Sequence, residues 1–485
     1  MPVPEIRVRA VNARDVRPDR ELVLYWMIAA RRAASSFALD RAVEHAKALR
    51  RPLLVLEPLR VAYPFASDRL HRFVLDGMAA NARAFERAGV AYHGYVEPAP
   101  GAGRGLLAAL ATRACVVVTD EYPAFFLPRM VAAAASAVDV RMEAVDGNGI
   151  LPMRAATRVF PTAFAFRAHL QRELLAHLLA PPRARPFAGM RLPPAKLPAE
   201  VAARWPRAPP PLFAGTEEAL RVLPVDHAVP PAPLRGGSEA ARDALSTFVG
   251  ERLERYAEDR SHPDLDATSG LSPYLHFGHV SAHEVFAAVA KRERWAPDRL
   301  RDVRAGAREG FWGMSAGAEA FLDQLVVWRE LGFNMCSKRD DAAEYESLPA
   351  WARATLEAHA KDPRDVVYPL DALEQARTGD PLWNAAQRQL RAEGRIHNAL
   401  RMLWGKRVIG WSRTPREALA TLLHLNDRYA LDGRDPSTLT GVFWCFGRYD
   451  RPWGPERPVF GTVRYMSSEN SARKWKVRGY LERWG

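Results

Sequence analysis

Apolar positions in the first third of the chain fall into short unbroken runs, and the segments between them have helical composition. The runs ELVLYWMIA (21–29), PLLVLEP (52–58), VAYHGYV (90–96), ACVVVTD (114–120) and VRMEAVD (140–146) read as buried strands. Between them, 37–50, 68–88, 103–112 and 127–137 are rich in Ala, Arg and Leu and predict helices. Strands joined by helical crossovers imply a parallel, five-stranded, Rossmann-like sheet, hence an α/β domain over 1–150. Ligands of such sheets sit at the carboxyl ends of the strands, which singles out the loops 29–36, 58–66 and 119–126. The GAGRG at 101–105 suggests a phosphate loop, but it follows the third strand and lacks GxGxxG spacing.

From 151 to 238 the pattern dissolves into Pro-dense stretches such as PPRARP, WPRAPPP and VPPAPLRGG, which interrupt any long helix. A connector with a short helix at 162–179 is expected there. From 239 to 485 the strand-like runs vanish, and helices follow one another up to a segment, 450–466, that suggests a small hairpin. The expected layout is an α/β domain, a Pro-rich linker and a larger all-α domain.

Composition then narrows the partners. The 485 residues are 48% apolar and 26% charged, as in a soluble globular protein, and the net charge of +13 favours an anionic partner, nucleic acid first. Cys115, Cys336 and Cys445 form no CxxC pair, which argues against a disulfide framework or a structural zinc. The first twenty residues hold no apolar core of a signal peptide, and no apolar run has spanning length. A cytoplasmic protein is expected.

Three features of the helical part carry candidate chemistry. Of the thirteen tryptophans, Trp404 and Trp411 are seven apart on RIHNALRMLWGKRVIGW and share a helix face, with Arg401 one turn before Trp404. Core packing and base stacking both explain such residues, and spacing alone favours packing. In TSGLSPYLHFG (268–278), small hydroxyl residues and a glycine precede a helix start. Helix capping and a pyrophosphate cradle both fit. LNDRYALDGRDP (425–436) is dense in carboxylates, yet neither Asp427 nor Asp432 begins a calcium loop of the required spacing, so no metal is expected.

Taken together, these runs resemble the cryptochrome/photolyase family, and more narrowly the class II cyclobutane pyrimidine dimer photolyases. The resemblance rests on LYWM (24–27), SGLSPYLHFG (269–278), DPLWNAAQ (380–387), RMLWGKRVIGW (401–411), LNDRYALDGRDP (425–436) and ERPVFGTVRYM (456–466). It implies an antenna domain followed by a helical FAD domain. Reduced FAD would pass a light-driven electron to a pyrimidine dimer flipped out of UV-damaged DNA, the cyclobutane ring would split, and the electron would return.

By the same resemblance, Tyr256, Thr268, Ser269, Gly270, Leu271 and Ser272 match the segment around the flavin diphosphate. Arg401 and Asp432 match an ion pair beside the flavin ring, and Asn426 matches the side chain facing N5. Asp432 and Asp435 match the loop under the pyrimidine edge, while Arg434 has no assigned role. Trp404 and Trp383 match an electron relay, with Trp411 flanking it. Trp328, Met402 and Trp444 match the walls of the dimer pocket. Arg457 and Arg464 match the element that fills the gap left by the flipped bases.

Gln324, in FLDQLVVWRE (321–330), stands where class II enzymes carry a glutamate that binds the dimer; it keeps hydrogen bonding and lacks the charge. His397-Asn398 replaces the usual His-Gly. Gln324 makes a cryptochrome-like photoreceptor the rival reading, and the absence of a long tail after Trp484 speaks for repair. A monomer is expected. For the antenna, relatives that carry one use 8-hydroxy-5-deazaflavin; an empty antenna site is the other outcome.

Overall fold

The computed structural model describes residues 2–485. By its internal contacts the chain divides into two units. One comprises Met1–Thr157, Glu173–Ser246 and Leu271–Ala288, and the other Arg158–Arg172, Thr247–Gly270 and Val289–Gly485. Both units are built from discontinuous stretches, unlike the sequential division at 150 and 238 expected from composition.

The first unit is a six-stranded sheet in the order β1-β6-β5-β2-β3-β4. Its strands are β1 (Val8–Ala10), β2 (Leu22–Trp26), β3 (Leu53–Leu59), β4 (Ala91–Val96), β5 (Ala114–Glu121) and β6 (Met142–Asp146). The five apolar runs form β2 to β6 and pair in parallel. Every residue of β2 is buried, as a parallel strand covered on both faces requires. β1 adds antiparallel to β6 as a sixth strand. It is short and largely exposed, so no apolar run announced it. Helices α1 (Phe37–Leu49), α2 (Asp68–Arg87), α3 (Leu106–Ala111) and α4 (Leu127–Ala137) supply the crossovers.

At the carboxyl end of this sheet, Asp120 of β5 draws in the loop after β2. One carboxylate oxygen accepts the backbone N–H groups of Ile28, Ala29 and Ala30 at 2.8, 2.8 and 3.0 Å, and the other accepts the Tyr25 hydroxyl at 2.8 Å. Those amides are therefore engaged within the fold and do not form an anion site. Tyr63, His71, Phe125 and Phe126 cluster nearby in sequence and space, at the ends of β3 and β5. The glycine-rich 101–105 segment holds no phosphate-loop geometry. The Gly103 N–H donates to Glu97 at 3.1 Å, and the Trp205 indole donates to the Ala102 carbonyl. Trp205 comes from the Pro-dense stretch, which lies against the sheet and is more than a bare connector.

The second unit is helical. Two of its helices meet by close backbone approach. The helix Arg329–Lys338 presses onto Pro436–Trp444 at Gly332, where an added Cβ would fall 2.4 Å from the Pro436 carbonyl oxygen and 2.6 Å from the Thr440 hydroxyl. Gly332→Ala is expected to destabilise the protein by about 1–3 kcal/mol through overpacking, read as a lowered urea midpoint at unchanged m-value. The expected hairpin at 450–466 is a loop instead. Its ends are tied by Trp453 N–H to Thr462 O and Arg457 N–H to Gly461 O, with one isolated bridge and no strand. Pro452, Pro455 and Pro458 remove the donors a ladder would need.

Candidate active site

Asp323–Trp328 winds as a π-turn between the helices Ala316–Leu322 and Arg329–Lys338. A π-turn shifts the facing of the residues after it, and such turns recur at functional sites. Here it carries Gln324 and Trp328, both half-buried and so reachable from solvent. Beside them, buried Asp323 receives Arg167 at 2.7 Å, an ion pair that anchors the turn. Gly441 and Trp444 are one turn apart on Pro436–Trp444, and a Cβ placed on Gly441 would lie 3.6 Å from the Met402 methyl. Trp328, Met402 and Trp444 are each half-buried, and Pro436–Trp444 packs against both Arg329–Lys338 and Asn398–Trp411. Arg464 lies 5.6 Å from the Trp444 ring centre and 4.9 Å from that of Trp453. Arg457 is exposed and stacks on Tyr465, 4.9 Å away, outside this cluster.

The 425–436 run folds as the end of the helix Pro415–Tyr429, a tight turn, and the start of Pro436–Trp444. Asp432 meets Arg401 across 31 residues, with Arg401 Nη2 donating to its two oxygens at 3.1 and 3.5 Å. The two side chains are 13% and 11% exposed, so this pair faces a sheltered space rather than bulk water. Asn426 is buried, and its side-chain NH₂ donates to Asp427 Oδ1 at 2.8 Å, while its side-chain oxygen has no protein donor among the described residues. Asp427 also accepts the Arg434 N–H at 2.9 Å, and Arg434 has a φ of +66°. Arg434 is therefore a turn-forming residue. Asp435 caps the next helix, accepting from Ser437 N–H at 2.7 Å, which assigns it a local structural duty.

Tyr256 begins the short helix Tyr256–Asp259 and meets Phe248 and Phe321 edge-on, each at 5.6 Å. Burial raises its phenol pKa. Thr268 and Ser269 lead to Gly270, whose φ is +67° and whose Cβ position is open for at least 4 Å. Arg252 holds the segment by donating to the Thr268 carbonyl at 3.3 Å. Leu271 and Ser272 belong to the other unit. Leu271 occupies the N-cap of Ser272–His276 without a capping side chain, and Ser272 is exposed in its first turn.

Sequence spacing placed Trp404 and Trp411 on one helix face, and packing inserts Trp383 from Pro381–Glu393 into contact with both. Trp383 stacks parallel to Trp404, centroids 6.3 Å apart and planes at 6°. It meets Trp411 edge-on at 5.4 Å. The Trp383 indole donates to the Trp404 carbonyl, and the Trp404 indole donates to fully buried Gln387, both at 3.0 Å. Beyond Trp411, the partly exposed Tyr368 continues the row edge-on at 5.2 Å. Arg407 lies 4.6 Å from the Trp411 ring and 3.0 Å from Asp380, so its charge is compensated. Tyr368, Gln387 and Lys406 escaped the motif reading. None has a spacing signal, since each earns its place by packing.

His397 also lies outside the assigned set. Its Nδ1 accepts the Ala399 N–H at 3.3 Å, which places the ring proton on Nε2. Burial holds its pKa down at about 4, so the ring is neutral, and Nε2–H has no partner among the described residues. An unanswered buried donor, the free Asn426 oxygen, the Arg401–Asp432 pair and the open bend at Gly270 together suit a large polar cofactor with an anionic section. The residues present fit FAD.

A family model described as the FAD binding domain of DNA photolyase matches residues 321–407. The chain is 33% identical over 478 residues to the deoxyribodipyrimidine photo-lyase of Methanothermobacter thermautotrophicus, covering 98% of this chain and 97% of that protein. It is 34% identical over 507 residues to the protein of the same name from Oryza sativa subsp. japonica, covering 98% and 89%. Among solved structures, a bacterial class III photolyase from Agrobacterium tumefaciens shares the fold with a TM-score of 0.70 at 19% identity, over 97% of this chain and 87% of that one. A cryptochrome from Synechocystis does so with 0.69 at 15%, over 96% and 88%. Identity of this extent along nearly the whole of the archaeal relative has one consequence: the chain belongs to the photolyase/cryptochrome family.

Proposed function

We propose that the chain is a class II deoxyribodipyrimidine photo-lyase that repairs cyclobutane pyrimidine dimers in UV-damaged DNA, with FAD in its reduced anionic form. The observation that carries the reading is the packing of Pro436–Trp444, which bears Trp444, against both the helix that follows Gln324 and Trp328 and the helix that bears Met402, with the Arg401–Asp432 pair beginning one residue before Met402. Light-driven electron transfer to the dimer and back is the chemistry that bound FAD supplies. Arg401 and Asp432 hold and orient the ring system, and Asn426 offers its free oxygen to an N–H at the ring edge. Trp328, Met402 and Trp444 give a flipped dimer flat apolar walls in place of its stacking neighbours. Gln324 donates its NH₂ to a pyrimidine carbonyl.

Were the bound flavin oxidised, the tryptophan row would supply it with electrons one at a time: Trp404 would be the first donor, Trp383 would refill Trp404, Trp411 would refill Trp383, and an external reductant would refill the outermost member. The ring contacts of Trp383 with both Trp404 and Trp411 support Trp383 as the middle member.

The test is illumination of the reduced protein with a dimer-containing oligonucleotide, following recovery of pyrimidine absorbance. No recovery from a preparation with stoichiometric FAD overturns repair and leaves the photoreceptor reading, which Gln324 favours. Gln324→Glu should raise repair by up to about tenfold, the worth of about 1.4 kcal/mol for a charge-assisted contact. A deazaflavin antenna, if carried, would be seen as a second chromophore in the absorption spectrum.

A further inference from the structure

Lys406 lies on the helix Asn398–Trp411 with no solvent exposure. Its ammonium forms no ion pair among the described residues. Instead Nζ donates to the Cys445 carbonyl at 2.6 Å and stands 5.3 Å from the centre of the Trp444 ring. An unpaired buried ammonium is costly, and an apolar side chain of equal length would fill the space without that cost. The charge therefore calls for a use.

Its surroundings indicate one. The titratable groups whose charge reaches Nζ are the Cys445 thiol, Asp450, which favours the ammonium without pairing with it, and Arg464, which opposes it. Burial pushes the thiol up to about 11, keeping it neutral, and Asp450 accepts from the Trp453 indole at 3.1 Å and the Arg451 N–H at 2.9 Å. Arg464 is a second cation on the Trp444 ring, at 5.6 Å. Trp444 is thus flanked by two cations. Among the described residues Trp404 and Trp383 have none over their rings, and the cation beside Trp411 is compensated by Asp380. A nearby positive charge stabilises a neutral indole relative to its radical cation, because oxidation would set two like charges side by side.

We propose that Lys406 is a positioning residue for Trp444: it fixes the indole through the Cys445 carbonyl and keeps it from being oxidised, so electrons reach the photoexcited flavin from Trp404. This rests on the flavin and dimer-pocket reading above. Trp444 lines the dimer pocket, and a hole there would waste the light and damage the wall.

The test starts from Trp404→Phe holoprotein, in which the main donor is absent. Adding Lys406→Gln, which keeps a donor and removes the charge, should accelerate photoreduction about tenfold, and adding Trp444→Phe should cancel that gain. Since burial pushes Lys406 down to about 8 from its usual 10.5, Trp404→Phe alone should photoreduce faster as pH rises through that range, and Trp404→Phe/Lys406→Gln should not. A readout that needs no light is stability. Between those two pKa values the unfolded chain binds more protons than the folded one, so stability should rise with pH there, and Lys406→Met should flatten the rise. Equal photoreduction by Trp404→Phe and Trp404→Phe/Lys406→Gln, or parallel stability profiles, overturns the proposal while leaving the relay intact. Photoreduction by Trp404→Phe at the wild-type rate overturns the relay and this proposal together.

Discussion

Trp404→Phe is expected to slow photoreduction of the oxidised protein by about 100-fold, equivalent to about 2.7 kcal/mol of barrier. Phenylalanine fills the same slot against Trp383 but is far harder to oxidise than indole. Repair by enzyme reduced chemically beforehand should change less than about twofold, because the relay is needed only to restore the reduced flavin. The same substitution removes the donor to Gln387, which is fully buried, so folding stability should drop by about 1–3 kcal/mol. Transient absorption after a laser flash measures the first effect, and urea unfolding the second. Wild-type photoreduction kinetics would remove Trp404 from the relay.

Arg401→Met should weaken flavin binding by about 100-fold or more, since removing one partner of a sheltered charge pair costs about 2–5 kcal/mol. Asp432 would then stay 11% exposed with its Arg partner gone, facing the cofactor space as an uncompensated anion. Asp432→Asn should be milder, and the double variant should be less impaired than the sum of the two, because each single change already breaks the pair. Fluorescence titration of the flavin-free protein with FAD measures all three. Tight stoichiometric binding by Arg401→Met would place the pair outside the cofactor site.

Much of the fold was legible because burial writes a local signature. Strands β2 to β6 are covered on both faces and therefore appear as apolar runs, and their predicted limits lie within a few residues of those observed. β1 had no such signature, being an edge with only a partly covered first residue. The 450–466 loop misled for the opposite reason: aromatic and apolar residues suggested strands, while its prolines denied them the hydrogen bonds.

The site divides along the same line. Residue types tied to chemistry, such as Arg401, Asp432, Asn426 and the tryptophans, stand in motifs that a single sequence displays. Their pairing does not. Trp404 and Trp411 share a helix face, yet ring contact between them runs through Trp383, which only the packing of two helices supplies. Asp435 caps a helix, because a carboxylate one residue before Pro436 meets the free Ser437 N–H, a duty that the motif did not announce.

By itself, the chain determined a parallel α/β region and a helical region, since periodicity and composition act over a few residues at a time, while the candidate flavin-site residues came from the resemblance of its motifs to a family. Only the tertiary structure decided which side chains meet and which charges lose their water. Lys406 shows why: in sequence it is one basic residue among many in an Arg-rich chain, and only the closure of the Asn398–Trp411 helix over Cys445 leaves its ammonium dry against Trp444.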